Sequence, residues 1–158
     1  MSERQRVLVA DDDAAIRVLI SRILMRDGFE VVSAKDGGEA IEQILSGDFA
    51  VIVLDLMMPR IDGFAVVEYL RRERSELLRR VIVTTAYGAI GADRVRPFVD
   101  CCMEKPFDTA SLAQRAKSIA ATLVAPIAAD AEPEATKSAA SDASDSASPP
   151  ENQSRRVM

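Results

Sequence analysis

The sequence predicts an α/β protein built as a doubly wound, five-stranded parallel sheet with helices on both faces. Three observations lead there. Short, continuous apolar runs recur through the first 123 residues, the pattern of strands buried on both faces. Between them, apolar residues fall at spacings of three and four, the mark of helices that turn one face to a core. The two patterns alternate along the chain, as parallel strands joined by crossover helices require.

Each element can be read in turn. Val7, Leu8, Val9 and Ala10 make the first strand. Ile16, Leu19, Ile20, Ile23 and Leu24 mark one helix face, and Gly28 closes that helix because glycine tolerates the left-handed conformation that ends helices. Val31 and Val32 form the second strand. Ala40, Ile41, Ile44 and Leu45 mark a second helix ending at Gly47. Ala50 to Leu54 is the most apolar run and predicts a central strand. A helix over about Phe64 to Arg74 and a strand over Val81 to Thr85 follow. Gly88, Gly91 and Pro97 then interrupt the helical pattern, leaving a short piece around Ala92 to Arg96. Val99 to Met103 predicts a fifth strand, and Leu112, Ala116, Ile119 and Leu123 mark a last helix that Asp108 is placed to cap.

Composition narrows the function classes. The 158 residues suffice for one domain, with 48% hydrophobic and 28% charged residues, the balance of a soluble globular chain. Five Phe, two Tyr and no Trp leave the core to aliphatic side chains. A net charge of −5 without a basic block offers no footprint for nucleic acid, so direct DNA binding is not expected. No apolar run approaches the roughly 18 residues of a membrane span. The start, Met-Ser-Glu-Arg-Gln-Arg, runs straight into a strand pattern, which argues against a signal peptide. Cys101 and Cys102 are neighbours and poorly placed to bridge each other, so a reduced, cytoplasmic setting is expected. Residues 124–158 are dominated by Ala, Ser, Pro and acidic residues and hold no aromatic residue, a composition that cannot bury enough apolar surface to order itself. The expectation is a functional unit over residues 1–123 and a disordered tail beyond it.

In doubly wound sheets, functional residues collect at the carboxyl ends of the strands. Here those ends carry Asp11, Asp12 and Asp13, then Asp55, then Thr84, Thr85 and Ala86, then Glu104, Lys105 and Pro106. If strands one, three, four and five lie side by side, these residues meet in one pocket. Clustered carboxylates raise one another's pKa unless a cation intervenes. Hard oxygen ligands suit Mg²⁺. A phosphoryl group passed to Asp55 needs its oxygens neutralised, a task the metal, Lys105 and the Thr85 hydroxyl could share. The pocket is thus equipped for phosphoryl transfer to a carboxylate. Taken singly, each residue has a plainer reading: Asp13 as a helix cap, Lys105 as a solvated lysine, Thr85 as an ordinary strand residue. Their joint position at strand ends lifts the chemical reading level with the plain one, and spacing alone leaves both open.

The same residues carry a family resemblance. Val-Leu-Val-Ala-Asp11-Asp12-Asp13, Val-Leu-Asp55-Leu-Met-Met-Pro59-Arg-Ile-Asp62-Gly63, Thr85-Ala86 and Lys105-Pro106-Phe107 occur in order and together resemble the receiver domains of two-component response regulators, over about residues 5–123. The resemblance implies a flavodoxin-like sheet of order 2-1-3-4-5, like stand-alone chemotaxis-type regulators. It implies Asp55 as phosphoacceptor, with Thr85 and Lys105 as its catalytic companions. Asp11, Asp12, Asp55 and the backbone carbonyl of Met57 would hold Mg²⁺ or Mn²⁺, Asp12 directly and Asp11 mainly through water. Pro106 would follow a cis peptide. A sensor histidine kinase or a histidine phosphotransfer protein would be the phosphodonor, and an unidentified protein the downstream partner. No catalysis beyond the receiver's own phosphorylation and dephosphorylation is implied.

Two features depart from the family pattern. Cys102 stands where the family commonly has an aromatic residue that moves with the threonine, so the usual readout of phosphorylation cannot run through a ring there. The stretch from Thr85 to Lys105 is also about two residues short by family comparison, which predicts an abbreviated or irregular fourth helix. A redox role for Cys102 competes with its use as a small apolar filler. Met57 and Tyr87, two positions beyond Asp55 and Thr85, either shield the phosphoryl site from water or simply pack at the surface. Apart from a receiver signalling through partners, the open functions are a phosphorelay intermediate or sink and, in another class, a Mg²⁺-dependent aspartyl-phosphate phosphohydrolase. The last normally has a second Asp two residues after the nucleophile, where this chain has Met57.

Overall fold

The apolar runs become a single five-stranded parallel sheet in the order β2-β1-β3-β4-β5 in the computed structural model, which describes residues 3–124. Its strands are β1 (Arg6–Ala10), β2 (Glu30–Ala34), β3 (Val51–Asp55), β4 (Val81–Thr85) and β5 (Cys101–Glu104). The helices are α1 (Ala14–Arg26), α2 (Gly37–Ser46), α3 (Gly63–Glu73), α4 (Gly88–Val95) and α5 (Thr109–Val124), with a 3₁₀ segment over Ser75–Arg80 ahead of β4. The predicted fold class and strand order are both observed. The tail expected from residue 124 onward lies, beyond Val124 itself, outside the described residues, and Val124 closes α5. Among the described residues no helix is long and apolar enough to cross a membrane.

Alternation along the strands divides the core in two. Leu8, Ile52, Leu54, Val81 and Val83 face α2, α3 and α4, where Ile44, Leu70 and Val95 meet them. Val7, Val9, Val51, Val53 and Ile82 face the opposite way, onto Ile20 and Leu24 of α1 and Leu112 and Ala116 of α5. Every residue of β3 and β4 is buried, as expected of central strands covered on both faces. That burial matters for the site, because it sets Asp55 at the end of a rigid, fully packed strand.

The helix ends match their sequence signals. Asp13 caps α1 by accepting from the amides of Ala15 and Ile16, Asp62 caps α3 through Ala65, and Asp108 accepts from Ala110 and Ser111 at the start of α5. Gly28, at φ +98°, follows α1 as expected. Lys105-Pro106 is a cis peptide.

Several expectations shift. Leu19 and Leu45 fit their helical patterns yet lie exposed, because the buried stripe is narrower than the apolar one. The fourth helix is not a piece around Ala92 to Arg96 but spans Gly88–Val95, with Gly88 and Gly91 inside it. Gly88 opens it at φ +61°, and Gly91 lies where a Cβ would come within 3.0 Å of the Thr85 hydroxyl. At eight residues it is still the shortest α-helix among the described residues, as predicted. The fifth strand begins at Cys101 rather than Val99, whose amide instead bonds back to Val95 and extends the turn after α4.

Gly63 starts α3 directly against the end of β3. A Cβ there would overlap the Asp55 carbonyl oxygen and lie 2.6 Å from Leu56 Cα, both backbone atoms that cannot rotate away. Gly63→Ala is therefore expected to lower stability by about 1–3 kcal/mol, the usual range for overpacking, measured as a reduced midpoint in urea unfolding with unchanged m-value.

Candidate functional site

The carboxyl ends of β1, β3 and β5 converge on a buried polar cluster. Asp11 and Asp55 follow or end buried strands and are 1% and 2% exposed, while Asp12 is exposed at the rim. Lys105 Nζ lies 3.0 Å from Asp11 Oδ2 and 3.4 Å from Asp55 Oδ2, bridging two carboxylates across three strands. Alternation explains the convergence. Asp11, Asp55 and Lys105 share the strand parity of Val9, Val53 and Met103, which face α1 and α5, so all three side chains belong to that side of the sheet edge.

The backbone fixes the carboxylates further. Asp55 Oδ1 accepts from the Met57 amide at 3.2 Å, and Asp11 Oδ1 accepts from the Asp13 amide at 2.9 Å. Arg17 of α1 donates to the Asp11 carbonyl oxygen at 2.7 Å. The segment after Asp55 is held at three points: the Leu56 amide bonds to Thr84 O, the Gly63 amide to Leu56 O, and the Gly37 amide to Ile61 O. Within it Arg60 takes φ +66° and reaches the buried Asp36 at 3.5 Å.

Electrostatics leave the cluster poised for a cation. Burial, then the charge of Asp11, pushes the Asp55 carboxyl up to about 6, against the pull of the Met57 amide and Lys105. Burial works against the charge on Lys105, but its hydrogen bond to Asp11 and the charges of Asp55 and Asp11 outweigh it and hold the ammonium above the ordinary lysine range. One ammonium is thus shared by two buried carboxylates, with a third, Asp12, beside them. Carboxylate oxygens of Asp11, Asp12 and Asp55 lie within 4.8 Å of one another. Three hard oxygen donors at that separation fit a Mg²⁺ ion that keeps part of its water shell.

The predicted site residues do not all come together in the same way. Asp11, Asp12, Asp55 and Lys105 form one cluster. Met57 follows beside it, half exposed, its amide already committed to Asp55. Thr85 is fully buried, and its hydroxyl accepts from the Tyr87 amide at 2.9 Å rather than touching Asp55 or Lys105. It shares the parity of Val81 and Val83, so it stands on the α4 side of the sheet edge. Cys102 is on that same side, packed against the core under α4. Burial raises its thiol above the ordinary range, as it does that of Cys101, which favours the apolar-filler reading over the redox one. Tyr87 is exposed.

Arg17, Arg60 and Asp36 escaped the sequence reading. A cation just inside the first turn of α1 runs against the helix dipole, and that was the available signal for Arg17. Nothing local marks the pairing of Arg60 with Asp36.

A 2-1-3-4-5 parallel sheet with a lysine-bridged acidic cluster on its carboxyl edge defines an α/β protein of the flavodoxin-like class, and the comparisons with known proteins specify it. The chain belongs to the response regulator receiver domain family, whose profile matches residues 7–117. It is 38% identical over 119 residues to the DNA-binding dual master transcriptional regulator RpaA of Synechocystis, covering 72% of this chain and 48% of that protein. It is 35% identical over 117 residues to the transcriptional regulatory protein TcrA of Mycobacterium tuberculosis, covering 72% and 45%. The chain thus spans about half the length of these curated relatives. Among solved structures, the receiver domain of Francisella response regulator 1452 is similar at a TM-score of 0.69 and 30% identity, covering 76% of this chain and 99% of that one. The response regulator TrrA of Thermotoga maritima, in complex with Mg²⁺ and BeF, is similar at 0.66 and 30% identity, covering 73% and 98%. Receiver domains are signalling modules of two-component systems that bind Mg²⁺ at an acidic pocket.

The raised Asp55 pKa has a consequence for stability. In the unfolded chain Asp55 ionises near 3.8, whereas the folded carboxyl holds its proton to about 6. The protonated carboxyl contributes stability that is fully present below 3.8 and lost as pH rises to about 6. Asp55→Asn, which stays neutral, is expected to melt higher than the metal-free wild type above pH 6, with the gain shrinking towards pH 4. Thermal melts in chelator across that range check it, and saturating Mg²⁺ is expected to raise the wild-type midpoint more than the variant's.

Proposed function

We propose that this receiver accepts a phosphoryl group on Asp55 and acts as a phosphorylation-controlled switch that signals through protein partners. The observation that carries the reading is the Lys105 bridge between Asp11 and Asp55 beside a third carboxylate. The proposed functional unit is residues 1–123.

An Asp55 carboxylate oxygen attacks the phosphorus of a phosphohistidine on a sensor kinase or phosphotransfer protein. The phosphorus–nitrogen bond breaks, and its electron pair leaves with the imidazole. The Met57 amide on Asp55 Oδ1 orients the carboxylate for that attack. Lys105 already sits at Oδ2 and stays paired with the phosphoryl oxygens after transfer. Thr85 accepts from Tyr87 and so keeps its own hydroxyl proton free to donate. Asp11, Asp12, Asp55 and the Met57 carbonyl would hold Mg²⁺, which when bound would supply positive charge for the phosphoryl oxygens. Binding it needs ionised carboxylates, which its own charge favours at Asp55.

The change at Asp55 has to be read out near Thr85, where α4 is short and Cys102 replaces a ring. Those two features also favour a second reading, a phosphorelay intermediate that needs no rearranged α4 face. DNA binding belongs to RpaA, whose name bears it. Here the acidic chain and the receiver match support protein partners instead.

Incubation with phosphoramidate and Mg²⁺ is expected to add one phosphate by intact mass. Chelator and Asp55→Ala should each abolish the adduct, and an undiminished adduct in Asp55→Ala refutes the reading. Lys105→Met is expected to slow adduct formation about a hundredfold. Partner capture with and without beryllofluoride then separates an output regulator, whose partner changes, from a relay, whose partner does not.

A further inference from the structure

Thr84 is the one buried hydroxyl among the described residues without a hydrogen-bond partner. It is 1% exposed, a placement that costs stability because the group has left water and gained nothing in exchange. Valine in the same volume would avoid that cost. The position is equally specific. In the β3–β4 register Thr84 pairs with Asp55, and in the β4–β5 register it pairs with Met103. Register partners in parallel strands point to the same face and stand about 4.8 Å apart. Thr84 also follows Ile82 at the strand period, on the α1–α5 side where Asp11, Asp55 and Lys105 converge. Thr85, on the other side, has its hydroxyl engaged by Tyr87.

We propose that Thr84 donates its hydroxyl to the acyl carbonyl oxygen of phosphorylated Asp55 and so shortens the life of the phosphorylated state. The inference rests on Asp55 being the acceptor. Before phosphorylation, Asp55 Oδ2 has Lys105 and Oδ1 has the Met57 amide at 3.2 Å. Transfer to Oδ1 draws Lys105 from Oδ2 to the phosphoryl charge, and Oδ2, which would hold Mg²⁺ through one lone pair, has its second lone pair open to a donor. Hydrolysis proceeds by attack of water on phosphorus. The bond from phosphorus to the bridging oxygen breaks, its electron pair returns to the Asp55 carboxylate, and the proton of the attacking water goes to inorganic phosphate. Negative charge grows on the carboxylate as the bond breaks, and a hydroxyl donating to it stabilises that charge most in the transition state. Thr84 therefore speeds dephosphorylation, separately from Thr85.

The test compares wild type, Thr84→Val and Thr84→Ser after phosphorylation by phosphoramidate with Mg²⁺, removal of the donor, and intact mass over time. Thr84→Val is expected to lengthen the phosphoryl half-life about fivefold, the factor equivalent to a hydrogen bond of about 1 kcal/mol. Thr84→Ser should decay like wild type, and the melting temperature of Thr84→Val should equal or exceed wild type, since valine removes the orphaned hydroxyl. An adduct that decays equally fast in wild type and Thr84→Val overturns the role of Thr84 while leaving Asp55 the acceptor. A Thr84→Ser half-life as long as that of the valine variant overturns it too, because the effect then follows volume and not the hydroxyl. No adduct on wild type overturns both.

Discussion

Lys105 bridging Asp11 and Asp55 is the contact on which the site depends. Two carboxylates buried at 1% and 2% exposure at the end of one sheet repel each other, and one ammonium at 3.0 and 3.4 Å is what makes that proximity tolerable. The bridge also leaves the account unbalanced, because Asp12 adds a third carboxylate and, among the described residues, Lys105 is the one ammonium paired with the cluster. Burial, then the charge of Asp11, raises the Asp55 pKa against the pull of Lys105. A divalent cation would offset that excess of negative charge. The fit for a cation and the pH response of stability therefore share one origin.

The rest of the fold keeps that bridge in place. β3 and β4 are buried along their whole length, so Asp55 cannot drift along the sheet normal. The segment after it is pinned to Thr84, to α3 and to α2, with glycines at 37 and 63 where a side chain would collide with backbone. Asp11 is held through its own carbonyl by Arg17. These contacts are far from apolar packing in kind, yet they are possible only because packing fixes the strands to which they attach.

The α4 side is built to a different specification. Arg94 lies 3.8 Å from the Phe64 ring centre and Arg71 5.6 Å from that of Phe98, so stacking of cations on rings ties the short helix and the turn after it to α3. Gly91 lets α4 close over the Thr85 hydroxyl, and Cys102 offers little volume beneath it. With so little bulk between hydroxyl and helix, a displacement of Thr85 would reach α4 through backbone and helix position.

By itself the sequence determined the strand and helix order, the caps at Asp13 and Asp108, and the residues at the strand ends, because those follow from local period and local hydrogen bonding. It also showed that the fourth helix would be short. Its limits were not legible, since Gly88 and Gly91 are read as breakers until Gly88 is seen at φ +61° and Thr85 and Tyr87 are seen to occupy the space a side chain at position 91 would need. Leu19 and Leu45 fit a helical stripe that the packed neighbours do not cover. Tertiary structure alone decided which strand-end residues meet. It set Thr84 in register with Asp55, sent Thr85 to the opposite face, and gave Lys105 two carboxylates instead of one. The reason is physical: alternation names the face a side chain takes, but only strand register and the sheet's order fix what it finds there.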